Sequence, residues 1–161
     1  MMLRYRFCWI LVFITFLSFN TQAQVADTSL LIGTIEYKNL SSYSWFDSTF
    51  KAYMPAKSVI DSIQPYVQDV KLMVVLGTWC SDSKEHVPAL CKIALQSGIT
   101  LKQIEFIGVD RKKHCPLPDI TSLNIEYVPT IFVFVKGILK GKIIETPEKL
   151  LEQDLLNILS R

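Results

Sequence analysis

The sequence predicts an α/β protein in which helices flank a central mixed sheet, and three observations carry that expectation. Residues 71–77 (KLMVVLG) and 104–109 (IEFIGV) are short apolar runs rich in β-branched residues, separated by a helical pattern. Strand–helix–strand in that order requires a parallel, right-handed crossover. Residues 131–135 (IFVFV) and 139–145 flank Lys136-Gly137, which predicts a hairpin, and a last apolar stripe of helical spacing ends the chain.

The first segment reads as an address. Residues 1–23 (MMLRYRFCWILVFITFLSFNTQA) place Arg4 and Arg6 before an apolar run from Phe7 to Phe19, followed by polar Asn20, Thr21 and Gln22 and small Ala23. That is the layout of a secretory signal peptide cleaved between Ala23 and Gln24. The apolar run has 13 residues, short of the ~20 that span a bilayer. No stable membrane span is expected after cleavage, and the protein is expected in the periplasm or outside the cell. Removal of this segment lowers Lys and Arg from 17 to 15, equal to the 15 Asp and Glu. No basic excess is left to neutralise a phosphate backbone, so nucleic acid is not an expected partner. The chain of 161 residues suffices for one domain, and its 50% hydrophobic content argues against disorder.

Residues 24–55 form an extension: a polar stretch, a strand candidate over 30–37, and a helix from Ser44 that carries Trp45, Phe46, Phe50, Tyr53 and Met54. Ser44 is placed to cap that helix, and Pro55 interrupts the backbone after it. From residue 56 a second helix carries Val59, Ile60, Ile63 and Val67, with Pro65 weakening its last turn. Residues 71–77 read as a strand buried on both faces, in the middle of a sheet covered by helices. Residues 81–96 are helical, with Val87, Leu90, Cys91, Ala94 and Leu95 as one buried stripe and Gly98 as the stop. Thr146-Pro147-Glu148 predicts the start of the last helix, with Thr as cap and Pro at the first position. Leu150, Leu151, Leu155, Ile158 and Leu159 supply its apolar face.

Export changes the cysteine arithmetic. Cys8 leaves with the signal, and Cys80, Cys91 and Cys115 remain. An odd number in an oxidising compartment cannot all pair within one chain.

Trp79-Cys80-Ser81-Asp82-Ser83 ends the central strand and opens a helix, Pro88 follows eight residues after Cys80, and Val128-Pro129-Thr130 stands directly before the hairpin. Together with the element order, these residues resemble the thioredoxin superfamily over about residues 56–161. The stretch GTWCSDSKEHVPAL, preceded by WFDSTFKAYMP, is similar to exported thioredoxin-like proteins of Bacteroidetes-type bacteria. The resemblance implies a thioredoxin-like domain over residues 56–161, Pro129 in cis, and Cys80 as the attacking thiol. It further implies a peptide groove shaped by Trp79, Val128 and Pro129, a protein or peptide thiol or disulfide as substrate, an external reductant, and no cofactor. Physical chemistry supports the position of Cys80, since a helix start supplies unpaired N–H donors and a partial positive charge that favour a thiolate.

The departures from the family pattern are as informative. Where dithiol members carry a second cysteine stands Ser83, and where they keep a buried acid stands Val74. A mixed disulfide at Cys80 then lacks its usual neighbouring thiol, although Ser83 can hydrogen-bond the Cys80 sulfur. Asp82 opposes a thiolate beside it, whereas Lys84 and His86 favour one. Alternatively Asp82 is simply the helix N-cap, with Glu85 completing a capping box. Cys91 lies eleven residues beyond Cys80, ~16 Å along a helix, and is expected to face the core. Cys115, in the polar loop RKKHCPLP after Asp110, opens at the same sheet edge as Cys80 and is a candidate resolving thiol. Arg111, Lys112 and Lys113 read as a solvated turn. No CxxC or HxxxH spacing joins Cys80, His86, Cys91, His114 and Cys115, so no metal site is expected. Two functions follow: monothiol disulfide exchange, either reduction or isomerisation, through Cys80, or a redox-inactive scaffold that binds a protein or peptide.

Overall fold

The computed structural model describes residues 29–161; the expected signal segment, its cleavage site, Cys8 and residues 24–28 lie outside them. In chain order come β1 (Gly33–Ile35), α1 (Tyr37–Leu40), α2 (Ser44–Ala52), α3 (Lys57–Ile63) and a 3₁₀ stretch, Gln64–Asp69, that opens with Pro65. Then follow β2 (Val70–Leu76), α4 (Ser81–Ser97), β3 (Ile104–Gly108), β4 (Thr130–Val135), β5 (Ile138–Ile144) and α5 (Leu151–Leu159). The five strands form one mixed sheet in the order β1-β3-β2-β4-β5. β2 runs parallel to β3 and antiparallel to β4, and β1–β3 and β4–β5 are antiparallel. The expected α/β class and the expected parallel pairing of the two strands that flank α4 are those of the structure.

Side chains of the three central strands alternate between two apolar clusters. Leu72, Val74 and Leu76 of β2, Ile104 and Phe106 of β3, and Ile131 and Val133 of β4 join residues from all five α-helices in the larger one. Full burial of a side chain of this size contributes about 1.5–3 kcal/mol, so this face supplies most of the hydrophobic drive. Val75, Ile107 and Phe132 point the other way into a smaller cluster with Val109, Ile120 and Val128, against which Cys115, Leu123 and Ile125 also pack. The expectation that helices cover the central strand on both faces is therefore corrected. The connection after β3 carries Pro116 and Pro118 and packs as an irregular loop with one 3₁₀ turn, Thr121–Leu123. Far from that loop the face stays open, with Lys71 exposed and Met73 half-buried.

Other elements differ in their limits. The strand expected over 30–37 shrinks to three residues, because only Gly33–Ile35 pairs with β3 and Tyr37 already begins α1. The N-cap of α2 is Tyr43, with Ser44 inside the first turn. The stripe of α4 takes in Ala89 and Ile93 and leaves Leu95 at 42% exposure, because α4 is buried against α2 as well as against the sheet. Lys136 and Gly137 both adopt positive φ (53° and 78°), the backbone of a two-residue hairpin turn that matches the sheet twist.

The last helix starts later than Thr146-Pro147-Glu148. Its N-cap is Leu150, 59% exposed, and the Asp154 carboxylate accepts the Glu148 and Lys149 amides at 2.7 and 3.4 Å. Those amides are turned onto a side chain one helical turn ahead, so the backbone before Leu151 is not helical.

Two groups make the core sensitive to chemistry. Glu152, 1% exposed, accepts the Tyr53 hydroxyl at 2.5 Å and the Ala56 amide at 2.9 Å, which ties the extension to α5. Cys91 is fully buried, as expected from its place on the helix. Burial raises the Cys91 thiol above its usual value, and burial with the Glu152 hydrogen bond raises the Tyr53 phenol.

Two outcomes follow. Replacing Glu152 with Ala orphans two donors and should cost about 1–3 kcal/mol, read as a lower denaturant midpoint; Glu152→Gln keeps an acceptor and should cost less. Raised folded-state values mean that the unfolded chain gives up these protons first. The stability from Cys91 and Tyr53 is thus complete below their ordinary values of 9.0 and 10.0 and is lost as pH rises through and beyond them. Unfolding midpoints measured from about pH 8 to about pH 11 should fall, and Cys91→Ala should flatten the lower part of that decline.

Candidate functional site

The register of the sheet builds the site. Val75 of β2 lies opposite Thr130 of β4, so the chain leaves β2 next to the segment that enters β4. After Leu76 it makes one tight turn, closed by the Cys80 amide on the Gly77 carbonyl at 2.9 Å, and then starts α4. Cys80 is the N-cap of that 17-residue helix, and its carbonyl accepts the Lys84 amide at 3.1 Å. The thiol is half-buried and points across to the strand β4 entry, where it donates to the Val128 carbonyl at 3.1 Å and, more loosely, to Asp82 Oδ2 at 3.6 Å. Val128-Pro129 is a cis peptide, as the resemblance implied. The Pro129 carbonyl accepts the Glu145 amide at 2.7 Å, and the Thr130 hydroxyl donates to the Tyr127 carbonyl at 2.7 Å, so both sides of this peptide are fastened to neighbouring backbone.

The residues expected around Cys80 behave differently from one another. Trp79 is half-buried, and its indole Nε1 donates to the Val109 carbonyl at the end of β3, 3.0 Å away. The indole lies so close to Gly77 that a Cβ there would sit 2.6 Å from the ring, which only glycine avoids. The side chains of Val128 and Pro129 are buried, so their contribution at the thiol is the Val128 carbonyl and not an open groove wall. Tyr127, 50% exposed, is the large apolar residue that this segment offers to solvent.

Ser83 does not bond to Cys80. It faces inward, fully buried, and its Oγ accepts the Gly77 amide at 3.2 Å, a backbone donor that would otherwise be buried without a partner. Asp82 is in the first turn of α4 and not at its N-cap, so the capping-box alternative is corrected too. Lys84 points away from the sulfur; its Nζ sits 5.9 Å from the centre of the Trp45 ring on α2. Val74, which stands where dithiol members of the resembled family keep a buried acid, is part of the apolar core.

The loop after β3 has more structure than its polar sequence suggests. Asp110 Oδ1 accepts the Lys112 and His114 amides, both at 2.8 Å, and the Asp110 amide donates to the His114 carbonyl at 3.0 Å. The His114 amide, helped by that of Lys112, holds the Asp110 carboxyl below the usual carboxylate range. Within this turn Arg111 reaches back over Trp79, its guanidinium carbon 5.3 Å from the ring centre. Arg111 read as part of a solvated turn in the sequence, and no local signal distinguishes it; the contact exists because the ends of β2 and β3 are neighbours. Cys115 is half-buried against the smaller cluster, as Cys80 is, and its thiol donates to the Leu117 carbonyl at 3.1 Å. Cys80 and Cys115 are both free thiols.

Among the described residues no group of three or more His, Cys, Asp or Glu is placed to hold a metal ion, and no helix is long and apolar enough to cross a membrane. Chemically, the arrangement offers one accessible sulfur at a helix start, an adjacent main-chain carbonyl, and an aromatic ring held under a cation.

No family model matches the chain, and no curated protein matches it. Among solved structures, the crystal structure of a protein of unknown function from Pseudomonas aeruginosa is similar, at 17% sequence identity and a TM-score of 0.49, covering 72% of this chain and 78% of that one.

Proposed function

We propose that this is an exported thioredoxin-like protein that carries out monothiol disulfide exchange through Cys80. The observation that supports this reading best is the location of the sulfur: half-exposed, at the N-cap of α4, and 3.1 Å from the carbonyl that precedes cis Pro129. A structural cysteine has no need of that position, and Cys91, on the same helix, supplies the contrast.

In the proposed reaction the Cys80 thiolate attacks one sulfur of a protein or peptide disulfide. The Cys80–substrate bond forms, the substrate disulfide breaks, and the other substrate sulfur leaves as a thiolate that takes up a proton. If a different thiol of the same substrate attacks the substrate sulfur of the mixed disulfide, a new substrate disulfide forms, Cys80 leaves as a thiolate, and the substrate is isomerised without net oxidation. If an external dithiol reductant attacks the Cys80 sulfur instead, the substrate leaves as its second thiol, and the reductant's other thiol then displaces Cys80, so the substrate is reduced and the reductant ends as a disulfide. Ser83 supplies no thiol for either route, and its hydroxyl is engaged with Gly77. Trp79, held by Val109 and covered by Arg111, forms the aromatic surface beside the reacting sulfur.

The engagement of Ser83 also favours a second reading, a scaffold without redox turnover that binds a protein or peptide next to Trp79. The two separate on one measurement. A disulfide-bonded peptide mixed with the reduced mature protein and quenched in acid at early times should be found joined to Cys80, be released by dithiothreitol, and be absent from Cys80→Ser. Peptide binding that is non-covalent and equally tight in Cys80→Ala would replace exchange with the scaffold reading.

A further inference from the structure

Cys80 and Cys115 are separated in sequence by 34 intervening residues, yet both pack against the same small apolar cluster, the one under the irregular loop. Their positions are linked through two adjacent residues at the end of β3. Val109 accepts the indole of Trp79, the residue before Cys80; Asp110 donates its amide to His114, the residue before Cys115. Val109 is itself fixed to β2, its amide donating to the Leu76 carbonyl at 2.9 Å. Each cysteine thus follows a residue hydrogen-bonded to the same Val109-Asp110 dipeptide, at the sheet end where α4 begins.

The surroundings of Cys115 leave it free to act. It borders a cavity of about 390 Å³ whose lining includes Lys112, Lys113 and His114. One contact to the Leu117 carbonyl occupies its thiol. Its loop is organised by Asp110 and not by helix or sheet bonds, so a movement of the Cys115 segment toward Cys80 breaks no helix or strand pairing. Cys91, by contrast, is enclosed in the larger cluster and has no route to the surface.

We infer that Cys115 is the resolving thiol for Cys80. This rests on Cys80 being the attacking thiol, as proposed above. Once substrate is joined to Cys80, the Cys115 thiolate attacks the Cys80 sulfur; a Cys80–Cys115 disulfide forms, the bond from Cys80 to substrate breaks, and the substrate sulfur leaves as a thiolate and is protonated. The substrate disulfide has then gained two electrons and the protein has lost two. A dithiol reductant returns the pair to thiols by the same exchange run on the internal disulfide. The function of the second cysteine of a helix-borne pair is in this way met from a loop across the sheet end, which leaves Ser83 free for the Gly77 amide.

The test uses the reduced mature protein and hydroxyethyl disulfide, with intact mass and peptide mapping followed in time. The expected wild-type product is two hydrogens lighter, with the Cys80 and Cys115 peptides joined, and the adduct at Cys80 is transient. In Cys115→Ser and in Cys115→Ala the adduct at Cys80 should persist at least about tenfold longer, because an intramolecular attack has been removed. An adduct at Cys80 equally long-lived in all three proteins would overturn the inference while leaving exchange at Cys80 intact. So would a product that joins Cys80 to Cys91 or to a second copy. Absence of any adduct at Cys80 would overturn both this inference and the proposed function.

Discussion

The central strand governs the molecule. β2 has a parallel neighbour on one side and an antiparallel one on the other, and its register with β4 places Val75 opposite Thr130. With that register set, the chain that leaves β2 must pass the chain that enters β4. Cys80 and Val128 meet for this reason and not through any affinity of their own. The parallel register of β2 with β3 brings the end of β3 beside β2, where the carbonyl of Val109, the next residue, receives Trp79. A slip of one residue in β2 would turn Leu72, Val74 and Leu76 out of the larger cluster, so burial on that face protects the geometry at the thiol.

Much of the fold could be read in the sequence because its elements carry strong local signals. The apolar β-branched runs became β2 and β3, Gly98 ended α4, and Lys136-Gly137 formed the hairpin turn. What local patterns could not supply was competition between partners. The Thr-Pro-Glu signal before the last helix lost to Asp154, whose carboxylate claimed the amides that a first turn would have used. Ser44 and Asp82 are both good caps by type, but the backbone enters each helix one or two residues earlier, at Tyr43 and Cys80. Leu95 has the spacing of a core residue; it is exposed because α2 shifts the buried arc of α4.

The site was legible in its identities and less so in its contacts. Trp79 and Cys80 were nameable from sequence, the cis peptide before Pro129 only through the resemblance, and the structure brings them to one end of the sheet. The partners of Ser83 and Lys84 were not. Each has two plausible neighbours, and the choice depends on which buried donor or ring lies in reach once α2 and β2 are packed. Arg111 is the extreme case, a loop cation whose position over an indole thirty-odd residues away follows only from strand order. The three thiols of the described chain end in three environments: Cys91 sealed in the larger cluster, Cys80 at a helix start beside a carbonyl, and Cys115 in a loop bordering a cavity. Burial and backbone placement distinguish them, and Cys91 lies in the core that its helical position led one to expect.

The account depends on the folded environment making Cys80 a working nucleophile. The most direct measurement is the rate at which an aromatic disulfide exchanges with each cysteine, resolved by peptide mass, in the native protein and in the unfolded chain. The account predicts that Cys80 exchanges faster in the native protein than in the unfolded chain, while Cys91 exchanges only after unfolding. Native Cys80 that exchanges more slowly than the same residue in the unfolded chain would contradict it.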